Sequence, residues 1–201
     1  MSGVLVGRKA PDFTAAAVFA NGKINKLHLH SALESKYGLI FFYPLDFTFV
    51  CPTELVALHH RIEEFKSRNV EVIAVSIDSQ FTHNAYRNTP VKSGGIGEVG
   101  FTLVSDINHS ICQSYGVEQP EEGVAFRAAF IIDKEGIVRS QIVNDLPIGR
   151  NIDELLRTID AVQYFKEHGE VCPAGWEKGK ASMKASSQGV ADYLATHSDE
   201  L

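Results

Sequence analysis

The chain has 201 residues, a length that suits one domain with at most an appendage. At this length, folding buries roughly 70% of the surface of the unfolded chain, so a stable core requires no disulfide bond. The formal net charge is −6 and the 19 lysines and arginines are scattered, which argues against nucleic acid and an anionic membrane surface as partners.

The sequence also predicts the cellular compartment of the protein. No apolar run reaches the roughly 18 to 20 residues that a transmembrane helix requires. Residues 1–8 are too short for the apolar core of a signal peptide, and Pro11-Asp12 prevents a longer apolar segment from forming. The cysteines, Cys51, Cys112 and Cys172, form an odd and sparse set, which favours catalytic or redox use over a disulfide framework. These features predict a cytoplasmic protein.

The N-terminal part is weakly patterned, apart from one strong turn signal. Asn21-Gly22 lies between apolar residues, so we expect a small hairpin there. His28 and His30 would share one face of its second strand, where they could in principle contact a metal. Because no third ligand is nearby in the sequence, we interpret both as surface histidines and predict no metal.

Residues 36–77 show the pattern strand, helix, strand. The first strand is the apolar run 38–43, the helix extends from about 52 to 68, and the second strand spans 70–77. Such a unit implies parallel strands joined by a right-handed crossover, and therefore an α/β fold. Functional sites in such sheets lie at the carboxyl ends of strands, which is where Cys51 falls.

Cys51 lies where the first of these strands has ended and the helix begins. Pro52 fits the first helical position, which requires no backbone N–H. The free N–H groups and the positive dipole end of a helix favour an adjacent anion, and the thiolate is the reactive form of cysteine. Taken alone, the residue is better interpreted as a buried structural cysteine, as most free cysteines are.

The residues before Cys51 favour the catalytic interpretation. Pro44, Thr48 and Cys51 form the pattern P-x-x-x-T-x-x-C. This spacing lets the threonine hydroxyl fold back toward the sulfur, while the proline closes off one side. The loop resembles the active-site loop of the peroxiredoxins, which are thiol peroxidases that reduce hydroperoxides.

Residues 78–117 continue the alternation of helix and strand. We expect a helix at 80–88, a glycine-rich mobile loop at 94–97, a strand at 101–104 and a helix near 107–115. Cys112 falls on the last helix without a proline or threonine pattern around it, and we interpret it as structural.

Residues 123–144 have the pattern of a second hairpin, with strands at 127–132 and 137–143. Arg127 stands at the head of an otherwise apolar strand, a position that is costly unless the guanidinium meets an anion. The alternative is a charge at the strand end in solvent. Residue type and position alone favour that alternative.

The C-terminal part begins with a helix and then loses its pattern. Residues 151–154 resemble a capping box, although asparagine replaces serine or threonine, and an apolar helical stripe comes after them. From about residue 168 turn formers dominate, with a short possible helix from Val190 to Ala195. We expect an arm here rather than a core element.

A second motif refines the resemblance. Val171-Cys172-Pro173 resembles the resolving-cysteine motif of typical 2-Cys peroxiredoxins, and the whole chain is similar to their alkyl hydroperoxide reductase C-type branch. This resemblance implies a thioredoxin-like α/β fold with a central mixed sheet flanked by helices. It also implies a peroxidase domain at 1–162 and a C-terminal arm at 163–201 that carries the resolving cysteine.

The resemblance assigns roles to individual residues. Cys51 would attack the peroxide and become a sulfenic acid, with Thr48 and Arg127 orienting the peroxide and Pro44 shielding the sulfur. Cys172 from the other subunit of a dimer would then form a disulfide with Cys51. A cysteine held in the first turn of a helix must loosen locally to meet that geometry.

A further segment carries one supporting residue and gives a role to a second. Asp145 to Arg150 resembles the D-L-P-x-G-R segment of the family, so that Arg150 becomes a second guanidinium near the site with Glu54 bridging the two arginines. The alternative interpretation is that Glu54 and Arg150 are ordinary surface charges.

The resemblance also implies partners. The substrate is a hydroperoxide, and thioredoxin or a flavoprotein disulfide reductase would reduce the disulfide. No flavin or nicotinamide fingerprint occurs in the sequence, so no cofactor is expected and the electrons must come from another protein. Family members form homodimers that often assemble into a ring of five dimers.

In one respect the sequence departs from the family pattern. Peroxide-sensitive members pair a Gly-Gly-Leu-Gly loop with Tyr-Phe in the C-terminal helix, whereas here residues 94–97 are Gly-Gly-Ile-Gly and the second pair is Tyr193-Leu194. We therefore expect moderate resistance to over-oxidation. Two other functions stay open at this point, a redox sensor and a chaperone ring on the same fold.

Overall fold

The structure, a computed structural model, describes residues 3–201. Met1 and Ser2, which belong to the N-terminal segment judged too short for a signal peptide, lie outside the described residues. The described residues form two compact units, which divide between Ile152 and Asp153. The functional boundary after residue 162 stays a prediction.

The strands are β1 Thr14–Val18, β2 Ile24–His28, β3 Tyr37–Phe42, β4 Val70–Ser76, β5 Thr102–Ser105, β6 Glu118–Gln119, β7 Val124–Ala125, β8 Arg127–Ile132 and β9 Val138–Asn144. The helices are α1 Leu29–Ala32, α2 Cys51–His60, α3 Ile62–Ser67, α4 Gln80–Asn88, α5 Ser110–Ser114, α6 Ile152–His168 and α7 Ser187–His197. Within residues 3–201, the structure contains no helix with the length and apolar character to cross a membrane.

The first unit is built on a mixed sheet with the strand order β2-β1-β5-β4-β3-β8-β9. Strand β4 is parallel to both β3 and β5, and the remaining neighbours are antiparallel. The predicted strand–helix–strand unit is confirmed, since β3 and β4 pair in parallel with α2 and α3 between them in the chain. The predicted α/β class, with a central mixed sheet flanked by helices, is also confirmed.

The centre of the sheet explains the long apolar runs of the sequence. Every residue of β3 and β8 is buried, as expected for strands whose two faces are both covered. Three aromatic rings from these strands and from the end of α5 meet beside the sheet, with ring centroids 5.0 to 5.9 Å apart: Phe42, Tyr115 and Phe130. The carboxyl end of β3 therefore emerges from a closely packed core.

The N-terminal hairpin is confirmed, and one prediction attached to it is wrong. Strands β1 and β2 pair around Asn21-Gly22, where Gly22 has a φ of 79°. His28 is the last residue of β2, but His30 belongs to α1 because the chain turns into a helix at Leu29. The two histidines therefore do not share a strand face. Both are exposed.

The helix predicted from about 52 to 68 is two helices, α2 and α3, which meet at Arg61. The N–H of Arg61 donates to the carbonyl of Leu58, three residues earlier, at 3.2 Å, so the last turn of α2 tightens there. Just before this point, Nδ1 of His59 accepts a hydrogen bond from the Gly100 N–H at 3.1 Å. No glycine or proline marks the break in the sequence.

The predicted helix near 107–115 is shorter, because its start is fixed by a carboxylate. Asp106 accepts hydrogen bonds from the N–H groups of Ile111 at 2.9 Å and Cys112 at 2.7 Å. These bonds satisfy two of the donors that a helix start leaves free, so α5 begins at Ser110.

The predicted hairpin at 127–143 is confirmed as β8 and β9.

The second unit contains most of α6 and the arm. Arg157 on α6 donates to the carbonyl of Trp176 at 2.8 Å, and the ring of Tyr164 lies 4.9 Å from the Trp176 ring. These contacts hold the arm against α6. Helix α7 is longer than the predicted segment because Ser186 caps it, its hydroxyl accepting from the Gly189 N–H at 3.0 Å.

Candidate active site

Cys51 is the first residue of α2, so the helix begins one residue before Pro52, where the sequence predicted its start. The loop 43–50 connects it to the carboxyl end of β3. Its side chain is fully buried. The sulfur therefore lies at a helix N-terminus inside the molecule, where neighbouring groups rather than bulk water determine its chemistry.

Arg127 is the charged group that contacts this sulfur. Its Nη1 lies 3.3 Å from Sγ of Cys51 and donates to Oε2 of Glu54 at 2.8 Å, while its Nε donates to the carbonyl of Leu146. The side chain is only about 5% exposed. Arg127 therefore meets an anion, and the alternative of a strand-end charge in solvent is wrong.

Arg150 and Glu54 form the support behind Arg127. Arg150 donates from Nε to Oε1 of Glu54 at 2.9 Å and from Nη2 to Oε2 at 3.1 Å, which is a bidentate pair. Its Nη1 donates to the carbonyls of Phe42 at 2.8 Å and Ala128 at 2.6 Å. Glu54 and Arg150 are 3% and 8% exposed, so the alternative that they are ordinary surface charges is wrong.

These contacts determine the charge of the site. Burial acts to raise the pKa of Glu54, but the hydrogen bonds and charges of Arg150 and Arg127 outweigh it and lower that pKa below its usual value. Glu54 is therefore ionised at neutral pH. Two guanidinium groups and one carboxylate leave a net charge of +1 beside the sulfur of Cys51.

Thr48 and Pro44 lie on the same loop as Cys51. Pro44 is buried directly after Tyr43. Thr48 is half-buried, and its hydroxyl donates to the carbonyl of Leu45 at 2.8 Å. Because the proton of this hydroxyl is used within the loop, the oxygen presents its lone pairs as an acceptor. The catalytic roles of both residues stay predictions.

A buried polar network beneath the loop was not predicted. Asp46 accepts a hydrogen bond from the hydroxyl of Tyr43 at 2.7 Å and pairs with Nδ1 of His83, also at 2.7 Å. Nε2 of His83 lies 3.1 Å from the carbonyl of Val104 on β5. Burial raises the pKa of Asp46, and the hydrogen bond and charge of His83 oppose that rise. The available signal in the sequence was a single charged residue, Asp46, in a loop that otherwise carries no charge.

The other two cysteines have different surroundings. Cys112 is buried, and its thiol donates to the carbonyl of His109 at 3.2 Å. Burial and the Asp106 carboxylate raise its pKa well above that of an ordinary thiol, which fits the structural role predicted for it. Cys172 lies half-buried in the second unit, where its thiol is directed at the carbonyl of Ala161 at 3.6 Å. Burial raises its pKa as well.

Two groups of side chains within the described residues have ligand atoms close enough to hold a metal ion. They are His109 with Cys112 and Glu118, and Asp46 with Asp78 and His83. In each group the histidine is already paired with a carboxylate, at 2.8 Å and 2.7 Å respectively. These pairings account for both groups, and we assign no metal to either.

Comparison with known proteins covers nearly the whole chain. Residues 6–141 match the AhpC/TSA family, and residues 161–196 match the C-terminal domain of 1-Cys peroxiredoxin. The alkyl hydroperoxide reductase C of Helicobacter pylori is 51% identical over 199 residues, which are 98% of this chain and 100% of that protein. The chloroplastic 2-Cys peroxiredoxin BAS1 of Hordeum vulgare is 52% identical over 191 residues, covering 95% of this chain and 90% of that protein.

A solved structure is also similar to this chain over nearly its whole length. The crystal structure of the reduced 2-Cys peroxiredoxin of Plasmodium vivax has a TM-score of 0.93 and 49% identity to this chain. The similarity covers 96% of this chain and 100% of that one.

Proposed function

The chain belongs to the AhpC/TSA family and is a thiol-dependent peroxidase, and from this premise we propose that Cys51 is the sulfur that reduces the hydroperoxide. The observation that carries this assignment is the 3.3 Å contact between Nη1 of Arg127 and Sγ of Cys51. A guanidinium at this distance stabilises a thiolate and the negative charge that develops on a peroxide oxygen.

The first step transfers one oxygen atom. The Cys51 thiolate attacks the terminal oxygen of the hydroperoxide and the O–O bond breaks. Cys51 becomes a sulfenic acid, oxidised by two electrons, while the leaving alkoxide or hydroxide takes a proton and departs as alcohol or water. Arg127 lies where charge develops on the breaking bond, and Glu54 and Arg150 hold it there.

Thr48 supplies the complementary group. Its hydroxyl proton is donated to Leu45, so its oxygen is available to accept a hydrogen bond from the O–H of the peroxide. With Arg127 as donor and Thr48 as acceptor, both ends of the substrate are held while Cys51 attacks. The buried ring of Pro44 shields the loop from solvent.

The second step requires another thiol. Cys51 is fully buried, so no cysteine of another chain can approach bonding distance to its sulfur unless residues 47–51 open. Cys172 of a second copy then condenses with the sulfenic acid, forming the disulfide and releasing water. Exchange with the dithiol of thioredoxin or of a flavoprotein reductase returns both cysteines to thiols.

A homodimer is required for this cycle, and the molecule has a surface suited to one. Strand β9 is the end strand of the described sheet, and Val143 on it is exposed. Such an edge can pair with a second copy. Phe49 and Phe81 are 92% and 69% exposed, and apolar exposure of this size supports further association into a ring of five dimers.

The free cysteines support a location in a reducing compartment, for which we propose the cytoplasm.

Steady-state peroxide consumption tests this cycle. We expect the wild type to turn over with thioredoxin or a flavoprotein reductase and to run as a disulfide-linked dimer on non-reducing gels after oxidation. Cys172→Ser should consume about one equivalent of peroxide per subunit and then stop, because Cys51 lacks its thiol partner. Wild-type turnover by Cys172→Ser would contradict the assignment of the resolving cysteine.

A further inference from the structure

One peptide unit in the loop before Cys51 forms a hydrogen bond at each of its ends. The carbonyl of Leu45 accepts from the hydroxyl of Thr48 at 2.8 Å. The N–H of Asp46, which belongs to the same peptide unit, donates to Oδ2 of Asp78 at 2.9 Å. Because a trans peptide unit is planar, its carbonyl and its N–H point in opposite directions. A bond that fixes this N–H therefore also fixes the direction in which the carbonyl meets Thr48.

Asp78 is itself held by the end of β4. The hydroxyl of Ser76, the last residue of that strand, donates to the same Oδ2 at 2.7 Å, and its oxygen accepts from the Asp78 N–H at 3.2 Å. Ser76 is almost completely buried, and β4 lies between β3 and β5 in the sheet. The carboxylate that receives the loop N–H is thus attached to the interior of the sheet rather than to the loop.

The side chain of Asp46 has contacts of its own. Its carboxylate accepts from the hydroxyl of Tyr43 and pairs with Nδ1 of His83, each at 2.7 Å. Both partners are fully buried. These bonds fix the position of the Asp46 side chain, but they do not fix the rotation of the peptide unit that precedes it. The bond to Asp78 is the contact that determines this rotation.

We propose that Asp78 is a positioning residue for the reduction of the hydroperoxide. By holding the peptide unit between Leu45 and Asp46, its carboxylate directs the hydroxyl proton of Thr48 to the Leu45 carbonyl. The lone pairs of the Thr48 oxygen are then left to accept from the O–H of the hydroperoxide. The inference rests on the proposed function, in which Thr48 is that acceptor.

Loss of this bond has a specific consequence for the site. When the peptide unit turns, the Leu45 carbonyl moves out of reach of the Thr48 hydroxyl, which then selects another direction for its proton. A proton directed at the hydroperoxide leaves two donors, Thr48 and Arg127, facing the substrate and no acceptor for its O–H. The reaction with the hydroperoxide therefore slows, and it slows only through Thr48.

Asp78→Ala and Asp78→Asn test this inference, with the second-order rate constant for hydrogen peroxide measured by stopped flow. In Asp78→Ala the Asp46 N–H loses its acceptor, and we expect the rate constant to fall by roughly tenfold to 100-fold, as for a misplaced catalytic group. The amide oxygen of asparagine has two lone pairs, so it can accept from both Asp46 and Ser76. Asp78→Asn should therefore keep the wild-type rate constant to within about twofold.

Thr48→Val shows whether the effect passes through the hydroxyl, because it removes this group and nearly keeps the shape of the side chain. Added to Thr48→Val, Asp78→Ala should change the rate constant by less than about twofold, since residues that act through one contact are not additive. A general role of Asp78 in packing the loop would instead slow the reaction by the same factor in both backgrounds.

Asp12→Ala is the matched control. Asp12 also accepts a main-chain N–H, that of His30 in α1 at 3.1 Å, outside the loop 43–50. We expect the wild-type rate constant for this variant.

Ser76→Ala is a second variant, which keeps the test independent of whether Asp78→Ala folds. It removes the bond that holds Oδ2 of Asp78 and leaves the carboxylate in place. We expect the rate constant to fall by about twofold to fivefold, less than for Asp78→Ala because the acceptor itself remains. In the Thr48→Val background, Ser76→Ala should cause no further fall.

Three results would overturn the inference about Asp78. The first is a wild-type rate constant for folded Asp78→Ala or, where that variant does not fold, for Ser76→Ala. The second is equal slowing by either variant with and without the Thr48 hydroxyl. The third is a rate constant for Asp78→Asn as low as that for Asp78→Ala. Failure of the proposed function is distinct, since Cys51 would then form no sulfenic acid even in the wild type.

Discussion

Cys51→Ser is expected to eliminate peroxide consumption with every reductant. The serine hydroxyl is close to the thiol in size, so Arg127 and Glu54 keep their hydrogen bonds and the fold is retained. A hydroxyl, however, ionises far less readily than a thiol and cannot accept an oxygen atom to form a sulfenic acid. The measurement is hydrogen peroxide loss over time, with the circular dichroism spectrum as the check on folding.

Cys112→Ala is the control for this experiment. Cys112 is equally buried, but its thiol only donates to the carbonyl of His109. We expect wild-type turnover, with a loss of stability of about 1 kcal/mol, typical of a small change in the core. Residual turnover by Cys51→Ser that disappears in Cys112→Ala would show that the reactive sulfur had been assigned to the wrong residue.

Glu54→Gln should have the largest effect on stability. The variant leaves the guanidinium groups of Arg127 and Arg150 buried without a balancing charge, and an amide nitrogen cannot accept from either. Removing one partner of a buried ion pair costs about 3 to 5 kcal/mol. Because Arg127 is no longer held against Cys51, the second-order rate constant with peroxide should fall by roughly 100-fold.

Denaturant unfolding and stopped-flow kinetics measure these two effects. The control is Glu71→Gln, which breaks the partly exposed pair of Glu71 with Lys36, 2.7 Å apart. A pair of this kind contributes about 0 to 1 kcal/mol. A Glu54→Gln protein as stable and as fast as Glu71→Gln would contradict the role given to the buried bridge.

The pH dependence gives an independent check on Glu54. Since the pKa of Glu54 is lowered on folding, its ionised form adds stability above the unfolded pKa, about 4.3, and this stability is lost as the pH falls through the folded pKa. The difference in free energy of unfolding between wild type and Glu54→Gln should therefore be constant from about pH 5 to 7, where Glu54 is ionised in both the folded and the unfolded protein. The difference should become smaller below about pH 4. A constant difference at all pH values would rule out this linkage.

Local patterns were enough to predict the backbone around Cys51. The apolar run before Pro44, the proline after Cys51 and the helical stripe beyond it specify a strand, a loop and a helix start. The break at Arg61 escaped prediction because hydrogen bonds, rather than a glycine or proline, create it. His30 was misplaced for a similar reason, since no strong signal marks where β2 ends.

Contacts between distant residues were harder to predict. The position of Arg127 at the head of a strand indicated that it needed an anion, but not that the anion lay 73 residues earlier. The pairing of Glu54 with Arg150 followed from the family resemblance rather than from spacing. The network of Asp46 and His83 was missed, because it depends on β5 and α4 lying beneath the loop.

The most direct test of the account is to find the oxygen atom after one turnover. Cys172→Ser protein, treated with one equivalent of hydrogen peroxide and a sulfenic acid trap, should carry the trapped group on the peptide that contains Cys51. The peptide with Cys112 should be unmodified. Modification of Cys112 instead, or loss of peroxide with no modified cysteine, would contradict the claim that the sulfur beside Arg127 performs the reaction.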